Sequence, residues 1–233
     1  MTAQWVNEPL LAIDTETTGV DPFNDRIVEV SFAWIDVDGT VMQPWSTVVD
    51  PGVPVPDGAA EVHGITTDRA ISEGVSPAEA LTAVAEQIFA SEGAPLVMFN
   101  ARFDWPLLIC EAERHGVEWP AFAPILDPYL IDRMCDRYRK GKRQLTLVAS
   151  HYGVELGDAA HGALADAVAA GRVMRRLCQQ FPAITNHSLA SLWLRQVRGH
   201  EQDRLRFQDY MRSNVDPQFE SAPGWPIPAG EAS

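Results

Sequence analysis

The order of the apolar runs along the chain restricts the fold more than any other feature. Three runs typical of β-strands come first, at residues 10–14, 26–39 and 41–50, and Asp38-Gly39 is a strong hairpin signal between the last two. Later apolar runs alternate between strand-like and helix-like segments. Three antiparallel strands followed by two that alternate with helices predict an α/β fold, with a mixed five-stranded sheet covered by helices on both faces.

Helix signals define the remaining elements. Ser76-Pro77 and Gly93 bracket one predicted helix, and residues 51–60, rich in Pro and Gly, are expected to form a loop. The other predictions are strands within 95–99 and 123–134, and helices within 103–116, 123–134, 144–153 and 162–180. Residues 185–213 predict a helical appendage that docks on the core, and residues 214–233 an irregular tail.

Composition limits the function classes. With 233 residues, 46% of them hydrophobic, the chain can bury one sizeable core, which indicates one domain with an appendage. The net charge of −14 argues against a protein whose whole surface binds nucleic acid, so any phosphate contact must be local.

The three cysteines, Cys110, Cys135 and Cys178, are an odd number and widely spaced, so they are expected to be reduced, buried thiols. The N-terminal segment lacks a signal-peptide pattern, and no apolar run reaches 18 residues. We therefore expect a cytoplasmic protein without a membrane association.

Acidic residues follow two of the predicted strands. Asp14 and Glu16 lie two residues apart at the carboxyl end of the first strand, so both side chains should point to one face. Asp104 follows another apolar strand at its carboxyl end, the edge at which open α/β sheets bind ligands. Taken singly, the first pair could cap a turn in solvent, and Asp104 could be a helix N-terminal acid.

Asp166 is a fourth acid, placed among alanines that allow a helix to approach the sheet closely. Clustered carboxylates repel one another unless a cation neutralises them. Hard oxygen donors suit Mg²⁺ or Mn²⁺, and two such ions can act on both the attacking and the leaving oxygen of a phosphodiester. His161, five residues before Asp166, could act as the general base for an attacking water, although a surface histidine at a helix start is the simpler interpretation of that residue alone.

The order Asp14-x-Glu16, Asp104, His161-x-x-x-x-Asp166 resembles the DEDDh branch of the 3′→5′ exonucleases, which have a ribonuclease H-like fold. That superfamily includes the proofreading epsilon subunit of the bacterial replicative polymerase, RNase T and oligoribonuclease. The resemblance covers residues 9 to about 180 through "DTETTG", "EVHGIT", "FNARFD" and "HGALADA". The sister branch has Tyr in place of the His, and no such Tyr stands upstream of Asp166 here.

The resemblance implies a catalytic set of Asp14, Glu16, Asp104, His161 and Asp166, of which the four acids would bind two Mg²⁺ or Mn²⁺ ions. It also implies that the terminal nucleotide contacts five further residues: Thr17, Thr18, Gly19, His63 and Phe103. Glu29 is expected to be a strand-face acid or a hydrogen-bonding partner rather than a metal ligand. Asp127 matches a family position that is usually structural, and we exclude it from the metal set.

One basic run interrupts the acidic sequence, "RYRKGKR" at residues 137–143. Such a run is usually a solvated loop. Because a nucleic acid strand must reach four carboxylates on an acidic protein, this run is also a candidate for backbone phosphate contacts, through Arg139, Lys140, Lys142 or Arg143.

Together these features predict an exonuclease domain at 9–182, a helical extension at 183–213 and a tail at 214–233. The expected activity is metal-dependent 3′→5′ hydrolysis of single-stranded or frayed DNA, which releases nucleoside 5′-monophosphates; a polymerase or repair protein is a candidate partner. The first alternative is an RNA-trimming or oligoribonuclease-like enzyme. The second is a non-catalytic polymerase or repair interaction module, which would not need four converging acids. A structural calcium site of the EF-hand type lacks its 12-residue loop.

Overall fold

A computed structural model of the chain describes residues 2–156 and 162–229. Its sheet contains five strands in the order β3-β2-β1-β4-β5. Their bounds are β1 (Leu10–Thr17), β2 (Ile27–Ile35), β3 (Val41–Val48), β4 (Leu96–Val97) and β5 (Ile125–Leu126). β1, β2 and β3 pair antiparallel, whereas β4 and β5 continue the sheet parallel to β1. The predicted mixed five-stranded sheet is confirmed.

Eight α-helices surround the sheet in the described residues. They are α1 (Asp57–His63), α2 (Thr67–Glu73), α3 (Pro77–Ala90), α4 (Ala101–His115), α5 (Pro128–Cys135), α6 (Leu145–His151), α7 (Ala163–Gln180) and α8 (Leu189–Asn214). The expected loop at 51–60 is wrong in part, because α1 begins inside it. Pro56 precedes this helix, and Gly64 ends it in a left-handed conformation.

Strand alternation divides the core into two layers. Leu10 and Ala12 of β1 face a cluster that includes α7, and Leu11 and Ile13 face the opposite cluster, which includes α3 and α4. Because helices cover both faces, all four residues are fully buried. Side chains later in β1 follow the same alternation, so Asp14 and Glu16 belong to the α7 face.

Small residues bring α7 close to the sheet. A Cβ atom at Gly171 would lie 2.5 Å from Ile35 Cγ1, so a larger residue could not occupy this position without displacing β2. Ala167 and Ala170 are also fully buried in this contact. The alanine-rich sequence of α7 therefore fixes the distance between Asp166 and the strand that carries Asp14.

The appendage docks on the edge of the sheet. Gln196 of α8 is fully buried; its amide accepts from Asp127 N at 2.8 Å and donates to the Ile125 carbonyl at 2.9 Å, which covers the edge strand β5. Residues 215–229 of the tail are irregular, and they fold back so that Trp225 is buried against Trp193. All three cysteines are free, and only Cys178 is fully buried. No helix in the described ranges is long and apolar enough to cross a membrane.

Candidate active site

Three of the four predicted acids converge beyond the carboxyl end of β1. Asp14 and Glu16 come from β1 and Asp166 from the first turn of α7, and one carboxylate oxygen of each lies within 4.8 Å of the others. All three side chains are partly buried. The sequence therefore predicted this juxtaposition from strand alternation and helix packing.

Asp104 approaches the same cleft from the other face of the sheet. It lies in the first turn of α4, is 4% exposed, and accepts a hydrogen bond of 2.7 Å from the Thr15 hydroxyl. A cleft of about 390 Å³ is lined by all four acids together with Phe103, Tyr129 and Arg143. Asp104 thus lines the same cleft as the three-carboxylate cluster.

Burial and mutual repulsion raise the pKa values of these acids. Desolvation by burial is the main cause in each case. Burial, together with repulsion from Asp166, Glu29 and Asp104, raises the pKa of Glu16 to about 8. Burial raises the pKa of Asp104 to about 7, although the Thr15 hydrogen bond opposes this change. Burial and the neighbouring carboxylates also raise the pKa of Asp14 well above its usual range. Such a cluster favours a bound cation.

The donor set fits a hard divalent cation. Among the described residues it offers three carboxylates, with oxygens close enough to share an ion, beside a cleft open to solvent. Oxygen-only sites of this kind suit Mg²⁺ or Mn²⁺, whose remaining coordination positions are filled by water or phosphate oxygens.

Glu29 lies opposite Glu16 in the register of β1 and β2. One of its carboxylate oxygens accepts from the Ser46 hydroxyl at 2.7 Å, and the other accepts from Ala163 N, at the start of α7, at 3.2 Å. The carboxylate therefore caps the helix that carries Asp166. These contacts agree with the hydrogen-bonding role expected from the sequence.

His161 lies outside the described residues, so its predicted role as general base stays a prediction. Asp127, which we excluded from the metal set, accepts hydrogen bonds from four backbone amides, those of Asn100, Ala101, Tyr129 and Leu130. It thereby links the starts of α4 and α5.

The predicted contacts to the terminal nucleotide fall into two groups. Phe103 lines the cleft itself. Thr17 and Thr18 continue β1 into a turn: the Thr17 hydroxyl donates to the Gly19 carbonyl at 2.5 Å, and the Thr18 hydroxyl to Asp25 at 2.9 Å. His63, at the end of α1, accepts from Ile65 N at 3.2 Å, and burial lowers its pKa.

In the basic run, the side chains of two arginines are bonded within the protein, whereas those of two lysines extend into solvent. Arg139 and Arg143 donate to Oδ2 of the buried Asp132, at 2.8 Å and 2.6 Å. Lys140 and Lys142 are exposed. The sequence did not predict this difference between the arginines and the lysines. The burial of Asp132 results from the packing of α5 against the residues around α6, and its local sequence does not distinguish it from a surface acid.

Comparisons with known proteins agree with the fold. The exonuclease (RNase_T) family model matches residues 11–174. A DNA polymerase III subunit epsilon-like protein from Rhodobacter capsulatus is 32% identical over 82% of the chain and 26% of its own length. The uncharacterized exonuclease CP81 of Escherichia phage 186 is 34% identical, over 70% of the chain and 84% of its own length.

A solved structure, E. coli Exonuclease I in complex with a dA16 oligonucleotide, superposes with a TM-score of 0.64 at 21% identity, over 76% of this chain and 42% of that one. The chain thus spans about a quarter of the first relative and less than half of the structural neighbour. The predicted ribonuclease H-like fold is confirmed, and by its sequence match this chain belongs to the exonuclease (RNase_T) family.

Proposed function

We propose that the protein is a metal-dependent 3′→5′ exonuclease acting on single-stranded or frayed DNA. The carboxylate cluster of Asp14, Glu16 and Asp166, which lines a solvent-open cleft together with Asp104, carries this proposal. A structural neighbour supports it: E. coli Exonuclease I has been crystallised with a dA16 oligonucleotide and, with single-stranded DNA, in a zinc-bound form.

The four acids would bind two Mg²⁺ or Mn²⁺ ions. The chemistry supplied by such ions, when bound, is stabilisation of charge on the attacking and leaving oxygens of the phosphodiester. Thr15 keeps Asp104 oriented toward the cleft, and Glu29 fixes the first turn of α7, from which Asp166 projects. In this proposal Phe103 packs against the sugar or base of the terminal nucleotide, the backbone of Thr17, Thr18 and Gly19 approaches its sugar, and His63 contacts it from the opposite side.

His161 accepts the proton of the attacking water. The new bond joins the water oxygen to phosphorus, and the bond from phosphorus to the 3′-oxygen of the preceding nucleotide breaks. The departing 3′-oxygen takes up a proton from solvent, so the products are a nucleoside 5′-monophosphate and a strand shortened by one residue with a free 3′-hydroxyl.

A degradation ladder tests this function. A 5′-labelled DNA strand should shorten one nucleotide at a time in Mg²⁺ or Mn²⁺, and EDTA should stop the reaction. Asp14→Asn should abolish it, and Asp68→Asn, the same change on the exposed surface of α2, should not. Full activity in EDTA, or release that starts at the 5′ end, would refute the proposal. A matched RNA strand measures the sugar preference, since faster RNA degradation would favour the alternative, an RNA-trimming enzyme.

A further inference from the structure

A second depression, of about 290 Å³, lies between α5 and α8 and is strongly basic. We call it the basic groove; its charged lining residues are Arg133, Arg137, Arg195, Arg198, Asp203 and Arg206. Five arginines and one aspartate give it a net charge of four positive, on a chain whose net charge is −14. A concentration of positive charge on an acidic protein indicates a local site for an anionic ligand.

Arginines of α8 line one wall of this groove. Arg195, Arg198 and Arg206 stand three and eight residues apart, so they share one helix face. They span about 16 Å at 1.5 Å per residue, enough for roughly three to five phosphates of a strand. Gly199 lets α8 pack closely on Met134 at the base of the groove, because a Cβ atom there would lie 2.7 Å from Met134 Sδ.

Most of this charge is not neutralised internally. Asp203 pairs with both Arg133, at 2.5 Å, and Arg206, at 3.0 Å. Arg137, Arg195 and Arg198 are exposed, and no carboxylate in the described ranges forms an ion pair with them. Three guanidinium groups are therefore available to phosphate.

The basic groove connects to the candidate active site through an intermediate depression. That depression shares Asn100 and Tyr129 with the acidic cleft, and it shares Arg133 and Asp203 with the basic groove. The Arg133 guanidinium lies 5.6 Å from the centre of the Tyr129 ring. Adjoining depressions therefore extend from the four acids, past the Tyr129 ring, to the arginines.

We propose that the basic groove binds the phosphate backbone of the single strand upstream of its 3′ end. This inference rests on the proposed function, because it assigns the acidic cleft to the terminal nucleotide. Positive charge placed several nucleotides away offsets the repulsion between an acidic protein and its substrate without adding cations at the site of cleavage. The half-buried Tyr129 beside Arg133 also offers an aromatic face on which a base can stack without regard to sequence.

The test compares a long and a short substrate in the full chain. The variant Arg195→Ala/Arg198→Ala removes two exposed charges that contact no catalytic residue. Its control, Arg172→Ala/Arg176→Ala, removes two charges from α7 beside the β2–β3 hairpin, at the end of β1 opposite the acids. Arg195→Lys/Arg198→Lys retains the charge. Binding of a labelled oligothymidylate of about 20 nucleotides is measured in EDTA across salt concentrations, and KM is measured for a trinucleotide in Mg²⁺.

The alanine variant should bind the long strand roughly tenfold more weakly, and the slope of log affinity against log salt should fall by about 1.4, or 0.7 per lost phosphate contact. The trinucleotide KM should not change, and the lysine and control variants should resemble the wild type. Unchanged affinity and slope, equal losses for both substrates, or no binding of the long strand by the wild type would overturn the proposal. If the wild type cleaves neither substrate, the exonuclease assignment fails, and the binding comparison still decides whether the groove holds a strand.

Discussion

The Thr15 hydroxyl donates a hydrogen bond of 2.7 Å to Asp104 Oδ1 and joins β1 to α4 at the carboxyl edge of the sheet. Because strand residues alternate, Thr15 points away from the face that carries Asp14 and Glu16. The three consecutive residues 14–16 therefore reach both faces of the sheet, and Thr15 positions the acid that comes from the second face.

We expect Thr15→Val to impair catalysis through Asp104. The valine removes the hydroxyl donor to the buried carboxylate, so the pKa of Asp104, already about 7, should rise further. The acidic limb of the rate profile should then move to higher pH, with activity partly restored in alkaline buffer. Thr82→Val, on the exposed side of α3, is the matched control. A profile identical to that of the wild type would show that Thr15 does not position Asp104.

The sequence predicted the sheet and the convergence of the acids because both depend on local patterns. Alternation in β1 fixed the directions of Asp14 and Glu16, and the alanines of α7 indicated close packing beside Asp166. The helix at Asp57–His63 was missed because it has only seven residues and follows a Pro-rich stretch, where local signals favour a loop.

Polar contacts between residues far apart in the chain could not be predicted from the sequence. Gln196 accepts a hydrogen bond from the backbone amide of Asp127, which lies 69 residues earlier in the chain. Nothing in the local sequence distinguishes Gln196 from a surface glutamine. The burial of Trp225 likewise depends on how the tail returns to α8. Such contacts become visible only when distant elements are placed together.

Glu29→Gln should separate helix capping from metal binding. The glutamine oxygen can still accept from Ala163 N while its amide nitrogen donates to the Ser46 hydroxyl, so the substitution removes mainly the negative charge at the start of α7. We expect a loss of about 1 kcal/mol in the free energy of unfolding and a moderate decrease in activity, with the metal stoichiometry unchanged. Denaturant unfolding and calorimetric metal titration measure both quantities, with the exposed Glu61→Gln as control. Loss of a bound ion would instead make Glu29 a ligand.

The basic run calls for separate lysine and arginine variants. Lys140→Ala/Lys142→Ala should weaken substrate binding and flatten its salt dependence while stability is retained, because both side chains are exposed. Arg143→Ala should also lower the free energy of unfolding by about 1–3 kcal/mol, because it removes a donor from the buried Asp132. If the lysine variant keeps the wild-type KM and salt slope, the lysines have only a solvated-loop role.

His161→Ala should lower turnover by about 10²- to 10⁴-fold, the effect of losing a positioned general base. Metal and single-strand binding should remain near wild type, since no ligand is removed. Asp14→Asn, in contrast, should lose both metal affinity and catalysis. Single-turnover rates combined with metal titration distinguish the two, and wild-type turnover in the alanine variant would exclude His161 as the base.

Metal removal should make the stability of the fold depend on pH in a direction set by the raised carboxyl pKa values. A carboxyl group whose pKa is about 4 when unfolded and about 7 or 8 when folded, as for Asp104 and Glu16, holds its proton more tightly in the folded state. Its stabilising contribution is complete below the unfolded pKa and is lost as pH rises through the folded value.

The Tm of the metal-free protein in EDTA should therefore fall between about pH 6 and about pH 9, and the increase in Tm produced by saturating Mg²⁺ should be larger at the higher pH. Over the same range the affinity for Mg²⁺ should rise, because fewer protons must be displaced from the cluster. Asp14→Asn removes one repelling charge, so its metal-free Tm should depend less on pH. A metal-free Tm that is constant across this range, together with a pH-independent Mg²⁺ affinity, would mean that the acids are not held as a mutually repelling, partly protonated set.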